Sequence, residues 1–277
     1  MSLRIAHLTD IHLTENPGQD LYGVDTGLSL SNAIGELGKL RPKPDAIIVT
    51  GDVAEVGSVR TYKRFKNLLS DVEVPVYTLP GNHDDYSNMQ AELNSDVFHC
   101  VSSAVIQRWA FLFVNSQVEG HSHGFVDPAG FTELERNLEK YRQHPVLIAL
   151  HHTPLKVCPS SGCQLWNSDE FTSLLNRYTN VKGVIAGHTH TDTVLSVGSH
   201  IQITTPSVFA HVKHAQTGES ADHEDFWASH VLDGSLQGFR ILDLSSNGFI
   251  KNQLHWYGDS TPESAQCFGA RSGDVQI

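Results

Sequence analysis

No apolar run in these 277 residues approaches the roughly 20 needed to span a bilayer. The chain also lacks a basic run. It carries 19 Lys and Arg against 31 Asp and Glu, a formal net charge of −12, and its cations are scattered. A phosphate backbone is bound by clustered Lys and Arg, so a nucleic-acid polymer is not an expected partner. The four cysteines, Cys100, Cys158, Cys163 and Cys267, show no CxxC spacing, which predicts reduced thiols in a cytoplasm. Only Cys158 and Cys163 are close enough in sequence to suggest a small disulfide loop. The N-terminus predicts a strand, Leu3 to Leu8, in place of a secretory leader, since no cleavage site follows it. No repeat, linker or second-domain boundary interrupts the chain, and 39% hydrophobic residues suffice for a large core. One domain over 1–277 is expected, with 211–230 as a loop or lid and 258–277 as a tail.

What the chain does have is strand–helix alternation. Strands are predicted near 4–8, 46–50, 74–79, 110–114, 146–150 and 182–186. The run Ala46-Ile47-Ile48-Val49-Thr50 is apolar throughout, as in parallel strands buried on both faces. A helix over about 26–40 places Leu30, Ala33, Ile34, Leu37 and Leu40 on one face. A second is expected over 58–70. A third is expected to open at a capping box, Thr132-Glu133-Leu134-Glu135, and run to about Tyr141. Residues 86–108 look less regular. Beyond residue 190 the pattern is mostly β, near 193–198, 200–205, 238–244 and 248–256.

Five short motifs sit at the ends of these strands: Asp10-Ile11-His12, Gly51-Asp52, Gly81-Asn82-His83-Asp84, His151-His152 and Gly187-His188-Thr189-His190. Strand ends in α/β folds are where ligand crevices form, so residues distant in sequence are expected to converge there. In an extended segment i and i+2 point the same way, which makes Asp10 with His12 and His188 with His190 natural pairs. Imidazole and carboxylate without thiolate suit borderline divalent metals such as Mn, Fe or Zn. Asp52 is placed to bridge two ions, and Asn82 offers a neutral oxygen. Two such ions share a water, lower its pKa and clamp attacking and leaving oxygens. The glycines before Asp52, Asn82 and His188 permit tight turns. The residues alone leave His151 and His152 open as the ligand. Asp84 and Asp85 are read as caps of a following helix, and His7 as structural. His211 and His214, beyond the last motif, are candidates for substrate contact. Tyr22 and Trp166 are candidates to stack on a base, or to pack.

The order D-x-H, G-D, G-N-H-D, H, G-H-x-H resembles the calcineurin-like metallophosphoesterase superfamily. Within it the chain is similar to the class III cyclic-nucleotide phosphodiesterases, the bacterial cAMP phosphodiesterase branch. Leu21-Tyr22-Gly23-Val24, Leu79-Pro80, His151-His152-Thr153-Pro154-Leu155 and Thr205-Pro206-Ser207 share in the likeness, which covers roughly residues 3 to 256. The resemblance implies a four-layer α/β/β/α sandwich of two mixed sheets. It implies one metal on Asp10, His12, Asp52 and His190, a second on Asp52, Asn82, His151 and His188, and a non-ligand His83 near the phosphate or leaving group. It implies in-line attack of a metal-bound hydroxide on a small phosphodiester such as cAMP. The alternative is a broader diesterase, acting on 2′,3′-cyclic nucleotides, glycerophosphodiesters or nucleotide diphosphate compounds. The fold also occurs in a non-catalytic retromer subunit, but the intact ligand set argues against a scaffold. Purple acid phosphatases carry Gly and Tyr where this chain has His12 and Glu55, so no tyrosinate–iron colour is expected. There is no room for a large cap insertion, which leaves the site open or completed by a second copy of the chain.

Overall fold

The computed structural model describes residues 2–157, 161–213 and 231–258. Two six-stranded sheets lie face to face. The first has the order β16 (Ile250–Tyr257), β15 (Gln237–Leu244), β1 (Leu3–Leu8), β4 (Ala46–Thr50), β5 (Val76–Leu79), β6 (Phe98–His99). The second has the order β11 (Thr193–Val197), β12 (His200–Thr204), β10 (Val181–Ala186), β9 (Val146–Leu150), β8 (Trp109–Val114), β7 (Ser103–Ile106). Both are mixed: β1, β4, β5 and β6 run parallel, as do β8, β9, β10 and β12, while β15, β16, β7 and β11 pair antiparallel with their neighbours. Two short ribbons complete the strands, β2 (Asp20–Leu21) with β3 (Val24–Asp25) and β13 (His211–Lys213) with β14 (Val231–Asp233).

Strand alternation builds the layers. In β4, Ala46 and Ile48 face the second sheet, where they meet Trp109, Phe111, Leu147 and Ile185. Ile47 and Val49 face outward, onto α1 (Thr26–Lys39), α2 (Val59–Leu68) and α3 (Tyr86–Glu92) through Leu30, Ala33, Tyr62, Phe65 and Met89. The second sheet does the same against α4 (Pro128–Lys140) and α5 (Ser168–Leu175), with Leu134, Leu138, Phe171 and Leu175 on Val146, Ile148 and Val184. Three apolar seams between four layers give the α/β/β/α sandwich. Each fully buried Leu, Ile or Phe contributes roughly 1.5–3 kcal/mol.

Several elements differ from the sequence expectation. The helix expected at Thr132 begins four residues earlier: Asp127 caps it, accepting from the Gly130 amide at 2.6 Å, with Pro128 in the first turn. An Asp cap followed by Pro is the stronger start signal, and Thr132 turns its hydroxyl back to Pro128 O at 2.8 Å inside the helix. The stretch 86–108 holds α3, β6 and β7, all short, which is why no periodicity shows. Asp85 does cap α3, accepting from Asn88 N at 2.8 Å, whereas Asp84 caps nothing. It is buried, accepting from Val53 N, Ala54 N, Gly81 N and Tyr62 OH. Of the expected lid 211–230, residues 211–213 form a strand; 214–230, including His214, lie outside the described residues. So do Cys158, Cys267 and the expected tail from 259 onward.

Candidate metal centre

All five motifs emerge at the carboxyl ends of parallel strands, β1, β4 and β5 in one sheet and β9 and β10 in the other. Main-chain bonds lace the loops together: Asp10 N to Gly51 O (3.1 Å), His12 N to Asp52 O (2.9 Å) and Gly187 N to His151 O (3.1 Å). Asp10 also accepts from His188 N at 2.9 Å.

Asp10 and His12 lie in one cluster with His190, while His188 clusters with His151 and His152, and the extended backbone expected of these pairs is not found. Asp10, His12, Asp52, His188 and His190 are all left-handed, with φ of 51°, 48°, 48°, 68° and 51°. These are turn residues, not extended ones, and non-glycine residues at positive φ mark strain at functional sites. Gly51, at φ 86°, meets a different limit: a side chain there would come within 2.5 Å of His151 Nδ1 and 2.7 Å of Gly81 N. The loops pack too tightly for a Cβ at that point.

The imidazoles are locked by their outer nitrogens. His12 Nδ1 donates to Glu55 Oε2 (2.8 Å), His151 Nδ1 to Thr50 O (2.8 Å) and His190 Nδ1 to Ala210 O (3.0 Å). Each then turns its Nε2 inward. His12 Nε2 lies 3.3 Å from His190 Nε2 and 3.6 Å from Asp52 Oδ2. His190 Nε2 is 3.4 Å from Asp10 Oδ1. His151 Nε2 is 3.3 Å from Asp52 Oδ2 and 3.1 Å from Asn82 Oδ1. His188 is reversed: Nε2 donates to Gly162 O (3.1 Å), leaving Nδ1 as the donor nitrogen. Buried imidazole nitrogens and carboxylate oxygens crowded this closely need positive charge between them, as protons on the rings or as metal ions. Asp10, His12 and His190 group within metal-binding reach, as do Asp10, Asp52 and His151. The residues therefore fit two divalent ions.

His152 differs from His151. Its Nε2 donates to Ser122 O at 3.1 Å and its Nδ1 accepts from Ser116 Oγ at 2.8 Å, so both nitrogens are engaged. The two neighbours thus have different partners, although both lie with His188 in a group within metal-binding reach.

The charges respond accordingly. Burial works to raise the Asp52 carboxyl, but His151, His12 and His83 outweigh it and hold it well below the usual carboxylate range. Burial works to lower His151, yet Asp52 and Asp10 push it up to about 9. Asp84, buried beside Asp52, is raised to about 6. His83 is placed at the rim, with its side chain 35% exposed. Its amide donates to Asp52 Oδ1 at 2.9 Å, and its Nδ1 lies 3.3 Å from Glu55 O and 3.4 Å from Glu55 Oε2. Burial lowers it, but Asp52 and Glu55 prevail, and its pKa is raised.

Glu55 is the residue the sequence reading undervalued. It touches both His12 and His83, and its only sequence signal is its place three residues beyond Asp52. His7 is structural, as expected: buried, with Thr50 Oγ1 and Thr205 Oγ1 each 2.8 Å from a ring nitrogen. Ser207 props the first loop by donating to Asp10 O at 2.7 Å. His211 follows Ala210, the His190 partner, and packs its ring on Trp256 with centroids 5.1 Å apart. Tyr22 and Trp166 are both exposed. A cavity of about 560 Å³ opens at the ends of β5 and β8, but it is lined by none of the ligand candidates.

Residues 3–192 match the family model for calcineurin-like phosphoesterase. A 3′,5′-cyclic-nucleotide phosphodiesterase of Nostoc sp. is 30% identical over 251 residues, covering 90% of each chain. A 3′,5′-cyclic adenosine monophosphate phosphodiesterase of Haemophilus influenzae is 28% identical over 255 residues, covering 91% of this chain and 89% of its own. Among solved structures, a dimetal phosphatase from Danio rerio superposes with a TM-score of 0.59 at 13% identity, covering 91% of this chain and 98% of that one. That last likeness is one of fold.

Proposed function

The chain belongs to the calcineurin-like phosphoesterase family, and from that premise we propose that it is a metal-dependent phosphodiesterase hydrolysing 3′,5′-cyclic nucleotides such as cAMP. The observation that carries the reading is the inward convergence of the Nε2 atoms of His12, His151 and His190 on Asp10 and Asp52. The substrate class is supported by the names of relatives that match over some nine-tenths of the chain.

We assign one cation to Asp10, His12, Asp52 and His190, and a second to Asp52, Asn82, His151 and His188, the last through Nδ1. Two divalent ions of the Mn, Fe or Zn type supply, when bound, Lewis acidity and an activated water. Asp52 links the two positions because its carboxylate lies against His12 on one side and His151 on the other. Asn82 adds an oxygen without adding charge. His83 is reserved for the substrate. With Nδ1 held by Glu55, its Nε2 is the nitrogen turned to a substrate, and the Asp52 and Glu55 charges favour its protonated form. It steadies charge on the phosphoryl oxygens and protonates the departing ribose oxygen. We read 1–277 as one cytoplasmic domain acting on a small molecule, an arrangement compatible with a homo-oligomer. Among the described residues, no helix is long and apolar enough to cross a membrane.

The test is steady-state kinetics on cAMP, cGMP, 2′,3′-cAMP and bis-p-nitrophenyl phosphate with Mn²⁺, for the wild type and Asp52→Asn. Turnover of 3′,5′-cyclic nucleotides that collapses in the variant is expected. Turnover confined to the other diesters would replace the substrate assignment with the broader diesterase.

A further inference from the structure

Two loops bonded to histidines of the metal centre carry an aromatic shelf. Trp166 and His123 stack with ring centroids 3.4 Å apart and planes 3° from parallel. His123 is the inner member, 9% exposed, and Trp166 the outer, 58% exposed. A Trp so exposed leaves a large apolar surface in water, which folding alone does not favour.

The shelf is fastened to the centre by its own backbone. Ser122, next to His123, accepts from His152 Nε2 at 3.1 Å. Gly162, on the segment leading to Trp166, accepts from His188 Nε2 at 3.1 Å. The two segments are joined to each other: Gly124 N donates to Gln164 O (3.0 Å) and Trp166 N to Gly124 O (2.9 Å). Gly124 also packs so closely on the His152 ring that a Cβ there would collide with it. His152 and His188 lie with ring centroids 4.6 Å apart. The backbone that carries the shelf is therefore tied to His188, a ligand candidate, and to His152 beside it.

Resting on the phosphodiesterase reading above, we propose that Trp166, backed by His123, is the platform on which the purine base of the substrate stacks while its phosphate lies at the metal centre. The chemistry fits. A base presents a flat π face, and an indole with one face occupied by a parallel imidazole offers a rigid face that needs no ordering on binding. Stacking is tolerant of base identity, so the platform selects nucleotides over smaller diesters without choosing strongly between adenine and guanine. Trp166 is here a specificity residue, and His123 a positioning residue acting through it.

The experiment compares the wild type with Trp166→Ala and Trp166→Phe in the Mn²⁺-loaded protein. Two substrates are used, cAMP and the base-free methyl riboside 3′,5′-cyclic phosphate. Binding of AMP is measured alongside, by calorimetry. For Trp166→Ala, KM for cAMP should rise about 10- to 100-fold, the range of base–aromatic stacking. That rise should exceed any change with the base-free diester at least tenfold. AMP affinity should fall in parallel, and Trp166→Phe should restore most of both. An unchanged KM for cAMP in Trp166→Ala, or an equal loss on both substrates, overturns the platform. An equal loss accompanied by a change in oligomeric state would make Trp166 a subunit contact instead. A wild type with no turnover of cAMP overturns the proposed function and the platform with it. Normal wild-type turnover with an indifferent variant overturns the platform alone.

Discussion

His12 and His190 aim their Nε2 atoms at each other across 3.3 Å, although 178 residues separate them. Each is tied behind, by Glu55 and by Ala210 O. Neither ring can rotate its Nε2 away without losing a bond. In the proposed metal site the pair faces a cation, and the Asp10 and Asp52 carboxylates beside it supply the matching charge.

Metal removal should therefore cost stability as well as activity. EDTA should abolish turnover, and Mn²⁺ should restore it. Differential scanning calorimetry should show a lower Tm for the chelated protein, because ions that bind the folded state stabilise it by mass action. Metal retention should weaken as pH falls, since protons compete for the same nitrogens. Turnover that survives complete chelation would sink the mechanism.

Glu55→Gln should disturb two functions at once. It removes the charge that orients His12 at 2.8 Å and that lies 3.4 Å from His83. Loss of such an outer partner lowers metal affinity or activity about 10- to 100-fold. Metal titration should register the His12 contribution. The pH–rate profile should shift to lower pH on its alkaline side, because His83 loses one of the charges that raise its pKa. A profile and affinity identical to the wild type would remove Glu55 from the site.

His83→Ala should keep both metals and lower the rate. General acid catalysis is worth about 10²–10⁴-fold. The loss should be large for a ribose leaving oxygen and small for p-nitrophenolate, which departs without a proton. An equal loss on the two would assign His83 to charge stabilisation. Loss of metal would make it a ligand.

His7 should set part of the acid sensitivity of the fold. Burial, with Arg240 nearby, lowers it to about 3, against an ordinary value of 6.5. Between those values the unfolded chain binds a proton that the folded chain refuses. Its contribution is therefore intact above pH 6.5 and is lost as pH falls toward 3. His7→Gln should flatten the dependence of unfolding free energy on pH in that window relative to the wild type, by up to about 4 kcal/mol at the acid end. An unchanged slope would show that other histidines carry the effect.

The sequence by itself determined the chemistry and the layers. The apolar run Ala46–Thr50 demands a strand covered on both sides, and motifs at strand ends demand convergence, because parallel strands share a carboxyl edge. Ligand types were legible for the same reason: imidazoles, carboxylates and an amide recur at the ends of successive strands. Only the tertiary structure decided which way each side chain turns. His151 and His152 are chemically the same and adjacent; what separates them is that Thr50 O takes the Nδ1 of one, while Ser116 and Ser122 take both nitrogens of the other. The left-handed turns at Asp10, His12, His188 and His190 were equally hidden, since side chains of this size rarely adopt them without surrounding structure to hold them there. Glu55 and the Trp166–His123 stack belong to the same class. Their meaning lies in contacts between loops 43 residues apart in both cases, and no local pattern records a contact that only the folded chain makes.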